Sequence, residues 1–424
     1  MTERPRDVTR RRVLKGAAAT ATIAAVGGFP YIARAQANVI RVGMPTILSG
    51  RVALLGESSR YAAELAVDRF NAAGGAGGRT IELVVRDSKA QPDEAARVTR
   101  DLINSDGCEA IIDAEASTGS FAVQEVIREI GVLCIHTNSE TSSLSADPKI
   151  RSETAFRCAR QGIHDAVAGG LYASRAAQEE GRKRWMTCSP DYAYGRDNTG
   201  QFLEYLKIFA PDVEVVDQAW PKLFEPDYTA FVTRILQQRP DAIYSALWGG
   251  DLVSFVEQGN LYGLFGGNIG FFSGSLADPP VLNAIKQLPS GLHSVYRYDA
   301  NFPDDESNKD FASAYQERSG GPLPTNWSWQ NYMAVQFLTE GLRRTGGNTD
   351  GKALASEIRG MTVPSPFSER GEMTMRDSDQ TIIYYPVAWG QTRSDPRAMV
   401  DWVPGDWEQI LEQEADWKAR EGYT

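Results

Sequence analysis

Val39-Ile40-Arg41-Val42-Gly43-Met44 followed by Pro45-Thr46-Ile47-Leu48-Ser49-Gly50 reads as a short apolar strand that breaks into a polar loop. From Arg60 to Ala73, Ala62, Leu65, Ala66 and Phe70 recur at helical spacing with the stem of Arg69 on the same side, and Gly74-Gly75 ends the helix. Ile81-Glu82-Leu83-Val84-Val85 is the next strand. A parallel pair joined through a helix leaves its first loop at the carboxyl edge of the sheet, where open α/β sheets hold ligands. Function is therefore to be sought in loops of that kind.

The alternation continues. Pro92-Asp93 opens a helix, Ala110-Ile111-Ile112 is a strand, Phe121 to Ile130 a helix and Val132-Leu133-Cys134-Ile135 a strand. The loops Glu115-Ala116-Ser117-Thr118-Gly119-Ser120 and His136-Thr137-Asn138-Ser139-Glu140-Thr141 leave at the edge used by Pro45 to Gly50, so three loops converge on one rim. A second βα series follows. Its helices are expected over 164–179, 199–209, 229–237 and 251–261, and its strands over 185–188, 213–217, 241–246 and 269–272. An extended segment near 292–298 precedes helices over 310–317, 329–345 and 353–359.

The ends differ from the middle. Thr9-Arg10-Arg11-Arg12-Val13-Leu14-Lys15 precedes an uncharged Ala- and Gly-rich run to Ile32, and Ala35-Gln36-Ala37 is a small-x-small cleavage site. That order is the order of an export signal, with a twin-arginine motif carrying Val13 where Phe is usual. Removing it takes away seven basic and two acidic residues and leaves 37 and 53, a net charge of −16. Such a balance argues against nucleic acid or an anionic membrane as partner. Cys108, Cys134, Cys158 and Cys188 are expected as buried thiols, although an oxidising compartment permits two disulfides.

Ile40-Arg41-Val42-Gly43, Leu48-Ser49-Gly50, Glu64-Leu65-Ala66-Val67 and Phe70-Asn71-Ala72-Ala73-Gly74-Gly75 together resemble the opening of the leucine/isoleucine/valine-binding protein family. Tyr194-Gly195-Arg196, Asp227-Tyr228-Thr229-Ala230-Phe231-Val232 and Arg239-Pro240-Asp241-Ala242-Ile243-Tyr244 match further blocks, so the resemblance spans about residues 39 to 390. These are the type I periplasmic solute-binding proteins of ABC importers. The resemblance implies an α/β fold of two doubly wound, Rossmann-like lobes joined by three crossovers, near 156–162, 298–302 and 379–384. The N-lobe would comprise 38–158 and 300–380, and the C-lobe 159–299 and 381–424 with a C-terminal extension. It further implies a monomer free in the periplasm, no cofactor or metal, and two partners: a small-molecule solute and an inner-membrane ABC permease.

Residue by residue, the family's carboxylate-binding positions match Ser117, with Thr118 beside it, and the loop Asn138, Ser139 and Glu140; the closing aromatic residues match Tyr194 and Trp248. Ser117 is equally a turn former, and Trp248 can instead be an interlobe packing residue, although its Gly249-Gly250 neighbours favour the rim. The acid that pairs with the ammonium of an amino acid ligand aligns with Ser275, and the first-loop aromatic aligns with Leu55. A buried ammonium without a carboxylate is costly. Glu140 can replace the missing acid from another loop, whereas Asp278 has no evident reach. An aromatic or other organic carboxylate, or a small amide, is therefore expected, with Trp248, Tyr194 and Trp329 offering rings. Arg160 and Arg297 are candidate carboxylate clamps, each with surface solvation as its ordinary reading, and His136 a candidate donor whose ordinary role is structural.

Other classes remain in view: a branched-chain amino acid or amide/urea binder of the same fold, a ligand-sensing receptor module, and a secreted hydrolase. The hydrolase lacks a G-x-S-x-G elbow and an H-E-x-x-H motif, and the chain has only three histidines. Gly74-Gly75-Ala76-Gly77-Gly78 follows a helix and precedes a strand, the reverse of a nucleotide fingerprint. Past Pro404, Asp406 and Gln409 are spaced as a capping box, with Trp407, Ile410, Leu411 and Trp417 on one side of a helix expected to pack on the C-lobe.

Overall fold

The computed structural model describes residues 38–423; the leader and its cleavage site lie outside the described residues. Val39–Thr46 and Thr80–Asp87 pair in parallel, register Val39 to Thr80 and Thr46 to Asp87, across the helix Ala53–Ala72. That helix begins a full two turns before the expected Arg60. Gly56 permits this, since its N–H donates to Ile47 O at 3.1 Å and any Cβ there would stand 2.0 Å from that oxygen.

The first sheet is wholly parallel, in the order Thr80–Asp87, Val39–Thr46, Ala110–Asp113, Leu133–His136, Ala155–Arg157. Alternating side chains fill its two faces. Ile112 and Ile135 meet Ala62, Ala66 and Phe70 on one, and Ile111 and Cys134 meet Leu102, Val123 and Ile127 on the other. Both faces covered by helices is the doubly wound arrangement expected from the alternation.

The second sheet has seven strands: Ala398–Pro404, Ala388–Arg393, His293–Val295, Gly270–Ser273, Ala242–Ser245, Arg184–Cys188 and Glu214–Ala219. The last five are parallel, and Ala388–Arg393 enters antiparallel to His293–Val295. Trp185, Tyr244 and Phe272 face Phe202 and Leu206, while their neighbours Met186, Ile243 and Phe271 face Val232, Leu252 and Phe255. This antiparallel edge hairpin is absent from the βα pattern because it comes from the chain after its third passage between sheets.

Those passages run from Arg157 to the helix Gly162–Glu179, from Val295 to the helix Glu306–Ser319, and from Ile383 to Ala388. Between the second and third, the helices Glu306–Ser319 and Asn326–Arg344 return to pack on Ala53–Ala72. The C-terminal helix Trp407–Glu421 packs on Gly162–Glu179, as its apolar side required, but it also reaches back across the passages. Ile410 and Trp417 join the core that contains Phe156 and Tyr385, and Glu414 meets Arg376. Asp406 caps this helix through Glu408 N. All four cysteines are buried free thiols.

Candidate functional site

The carboxyl edges of the two sheets face each other across a cleft whose empty space, the open solvent at its mouth included, is about 420 Å³. Leu55, Ala116, Ser117, Asn138 and Glu140 line it from the first sheet's side. Tyr192, Tyr194, Trp248, Ser275, Asp278 and Arg297 line it from the second, and Asn326 and Trp327 from the helix Asn326–Arg344.

Four helices begin at its wall. Ala116, Tyr192 and Trp248 are the N-cap residues of Ser117–Ile130, Ala193–Phe209 and Gly249–Leu261, and none of the three has a side-chain cap. The fourth, Asn326–Arg344, is capped by Thr325, whose Oγ1 accepts from Trp327 N and Ser328 N. Uncapped first turns leave backbone N–H groups without partners and carry the positive end of the helix dipole, so three such ends around one cavity favour an anionic group. The absence of Ser, Thr, Asp or Asn at these caps also explains why two helices start four and six residues ahead of their expected Phe121 and Thr199. Ser117 and Tyr194 thus sit in first helical turns, whereas a loop was expected.

Arg297 crosses the cavity. Its Nη1 lies 2.5 Å from Glu140 Oε1, its Nε donates to Gly274 O, and its Nη2 is 3.4 Å from the Tyr194 hydroxyl. Asn326 Nδ2 also donates to Glu140 Oε1, at 3.0 Å. Asp278, without evident reach from sequence, does line the cavity: its Oδ1 accepts from Asn326 N at 3.0 Å. Burial raises its carboxyl to about 6, against the opposing pull of that hydrogen bond. Burial also raises the Tyr194 hydroxyl to about 12, which keeps it a donor at neutral pH. Trp248 meets Trp327 edge to face, ring centroids 5.7 Å apart.

Not every expected residue reaches the cavity. Ser139 stands behind it, its Oγ 3.3 Å from that of Ser117, and Thr118 points out toward an adjoining depression shared with Tyr192 and Trp248. Asn138 touches the cavity, but its amide is spent within the protein: Nδ2 donates to Ser59 Oγ and Ala114 O, and Oδ1 accepts from Thr137 and Asn331. Arg160 is not in the cavity. It is buried at the first passage, paired with Asp165 five residues on and donating to Pro386 O. Trp329 is a core residue behind the wall, its Nε1 donating to Arg297 O. His136 is fixed between Asp113 Oδ2, at 2.5 Å, and Gln124 Oε1, at 2.7 Å.

Tyr192, Asn326 and Trp327 escaped the sequence reading. Asn326 and Trp327 lie just past Thr325, which with Ser328 forms the capping box that marks this helix start. Among the described residues, no group of His, Cys, Asp and Glu is arranged to hold a metal, and no helix is long and apolar enough to cross a membrane.

Comparisons with known proteins agree with this architecture. A Leu/Ile/Val-binding protein homologue of Brucella melitensis is 23% identical over 340 residues, 78% of this chain and 83% of its own. The solute-binding protein of a Rhodopseudomonas palustris ABC transporter, solved with 3,4-dihydroxybenzoic acid, superimposes with a TM-score of 0.78 at 23% identity, covering 87% of this chain and 98% of that one. The branched-chain amino acid transporter substrate-binding protein of Streptococcus pneumoniae, solved with isoleucine, gives 0.73 at 18% identity, covering 87% and 100%. Residues 39–391 match the periplasmic binding protein family model, and the chain, two parallel-sheet lobes around a cleft, therefore belongs to that family of solute-binding proteins, which bind rather than catalyse.

Proposed function

We propose that this protein binds a small organic carboxylate, with an aromatic ring favoured, in the interlobe cavity and hands it to an inner-membrane ABC permease. The observation that carries the reading is the convergence of three uncapped helix N-termini on a cavity walled by Tyr192, Tyr194, Trp248 and Trp327. Ser117, with its hydroxyl already accepting from Ser139, has its own proton to donate to the acid. Arg297 is neutralised by Glu140, so the helix ends, rather than a free guanidinium, supply the positive potential. The solute bridges both walls and thereby shifts the lobes toward closure. The lobes are taken as 38–158 with 300–380 and 159–299 with 381–424, in a monomer exported by a twin-arginine leader cut near Ala37.

A second reading, an α-amino acid, is favoured by the acids Glu140 and Asp278 at the cavity wall, either of which suits an ammonium. Thermal-shift screening of the mature protein against aryl carboxylates, branched-chain amino acids and amides separates the two. Stabilisation by aryl carboxylates and not by leucine is expected. Stabilisation by leucine alone overturns the ring reading.

A further inference from the structure

We infer that Glu140 and Asn326 form an acceptor pole that selects acids carrying hydrogen-bond donor groups remote from the carboxylate. This rests on the carboxylate reading above and assigns a second set of groups in the same cavity. Glu140 is 5% and Asn326 2% exposed, and both line the cavity. Glu140 Oε1 already takes two donors, Arg297 Nη1 and Asn326 Nδ2. Among the described residues its Oε2 has none, and neither has Asn326 Oδ1. The Asn326 amide is held in that orientation because only its nitrogen can face the carboxylate. Two buried acceptors are thus left for the solute, and the adjoining Asp278 adds further negative potential rather than a donor.

Buried acceptors are rarely left without partners in folded proteins. An acid with no donor leaves both oxygens desolvated and unpaired, whereas one with ring hydroxyls satisfies them. Sites built to bond a hydroxyl or amine discriminate strongly against analogues lacking it, for the same reason. Helix N-termini receive the anion, and Glu140 with Asn326 receives the donors.

Calorimetric titration of the wild-type protein with benzoate and with 3,4-dihydroxybenzoate tests this, alongside Asn326→Ala and Glu140→Gln. The dihydroxy acid is expected to bind at least about tenfold more tightly than benzoate, and that ratio to collapse toward one in Asn326→Ala. Glu140→Gln keeps an oxygen for Arg297 but turns the free acceptor into an NH₂ donor, so it should lose the preference too; melting curves confirm that each variant is folded. Equal binding of the two acids by wild type, or a ratio that survives both substitutions, overturns the acceptor pole. Failure of both acids to bind the wild type overturns instead the carboxylate reading on which it rests.

Discussion

Arg297 and Glu140, 157 residues apart in the chain, meet at 2.5 Å across the cleft with both side chains almost fully buried. One follows the last parallel strand of the second sheet and the other the fourth strand of the first, so the pair ties a loop of one sheet to a loop of the other. Removing one partner strands the other charge in the cavity wall, which for buried pairs costs about 3–5 kcal/mol. Arg297→Met should lower stability by that order and, in small-angle scattering without solute, give a larger radius of gyration than wild type. Unchanged scattering and melting temperature would show that the pair contributes nothing to closure.

Trp248 caps a helix at the cavity and stacks edge-on against Trp327 from the opposite wall. Truncating a buried aromatic anchor at a binding site typically costs 2 kcal/mol or more. Trp248→Ala is therefore expected to raise Kd about thirtyfold or more for whichever solute binds; because Trp248 also packs in the core, urea unfolding without solute should lose about 3 kcal/mol as well, and Kd is read where melting curves show the variant folded. An unchanged Kd would move the site elsewhere.

Glu115 lies at the end of the strand Ala110–Asp113, one residue before the cap Ala116, and is 1% exposed with Oε1 unpartnered. Burial, with the Asp113 charge adding to it, raises its carboxyl from the ordinary 4.5 to about 8. Between those values the folded state holds a proton that the unfolded state has released, so its contribution is complete below about 4.5 and is lost as pH rises through about 8. Glu115→Gln cannot ionise. Measured by urea unfolding from pH 5 to pH 9, wild type should fall relative to this variant by about 1.4 kcal/mol per pH unit within the window. Parallel profiles would refute the raised carboxyl.

Glu414 of the C-terminal helix lies 2.5 Å from Arg376, 3.0 Å from Lys418 and 3.1 Å from His164 Nε2. Against the cost of burial, His164 and Arg376 hold its carboxyl well below the usual range. A depressed carboxyl contributes stability above its unfolded value that is lost as pH falls through the folded one. Glu414→Gln should thus cost about 3 kcal/mol at pH 7 and flatten the acid limb below about pH 4.5, as read by thermal unfolding. An acid limb that stays as steep in the variant would assign that loss to other carboxylates.

How much of this was legible depends on the range of the signal. Apolar and helical patterns are local and carried the two doubly wound sheets, whereas the two lobes and the cleft came from the resemblance of the blocks Ile40 to Gly75 and Tyr194 to Tyr244 to a known family. Helix starts at Ser117, Ala193 and Gly249 were blurred because their caps are Ala116, Tyr192 and Trp248, none of which offers a side-chain cap. The rule that marks a helix start fails where the backbone is left open at the cavity.

The choice between the two arginines shows the boundary most plainly. Arg160 and Arg297 both flank passages between lobes and are equivalent as letters. Arg160 finds Asp165 five residues on and is consumed there, while Arg297 finds Glu140 only because two sheets bring distant loops together. Asp278 and Asn326 enter the cavity in the same way, through a contact spanning 48 residues. The sequence by itself determined the scaffold, since strand and helix patterns are set by neighbours along the chain. Only the tertiary structure decided which charges remain available at the cleft, because pairing of buried charges depends on through-space distance.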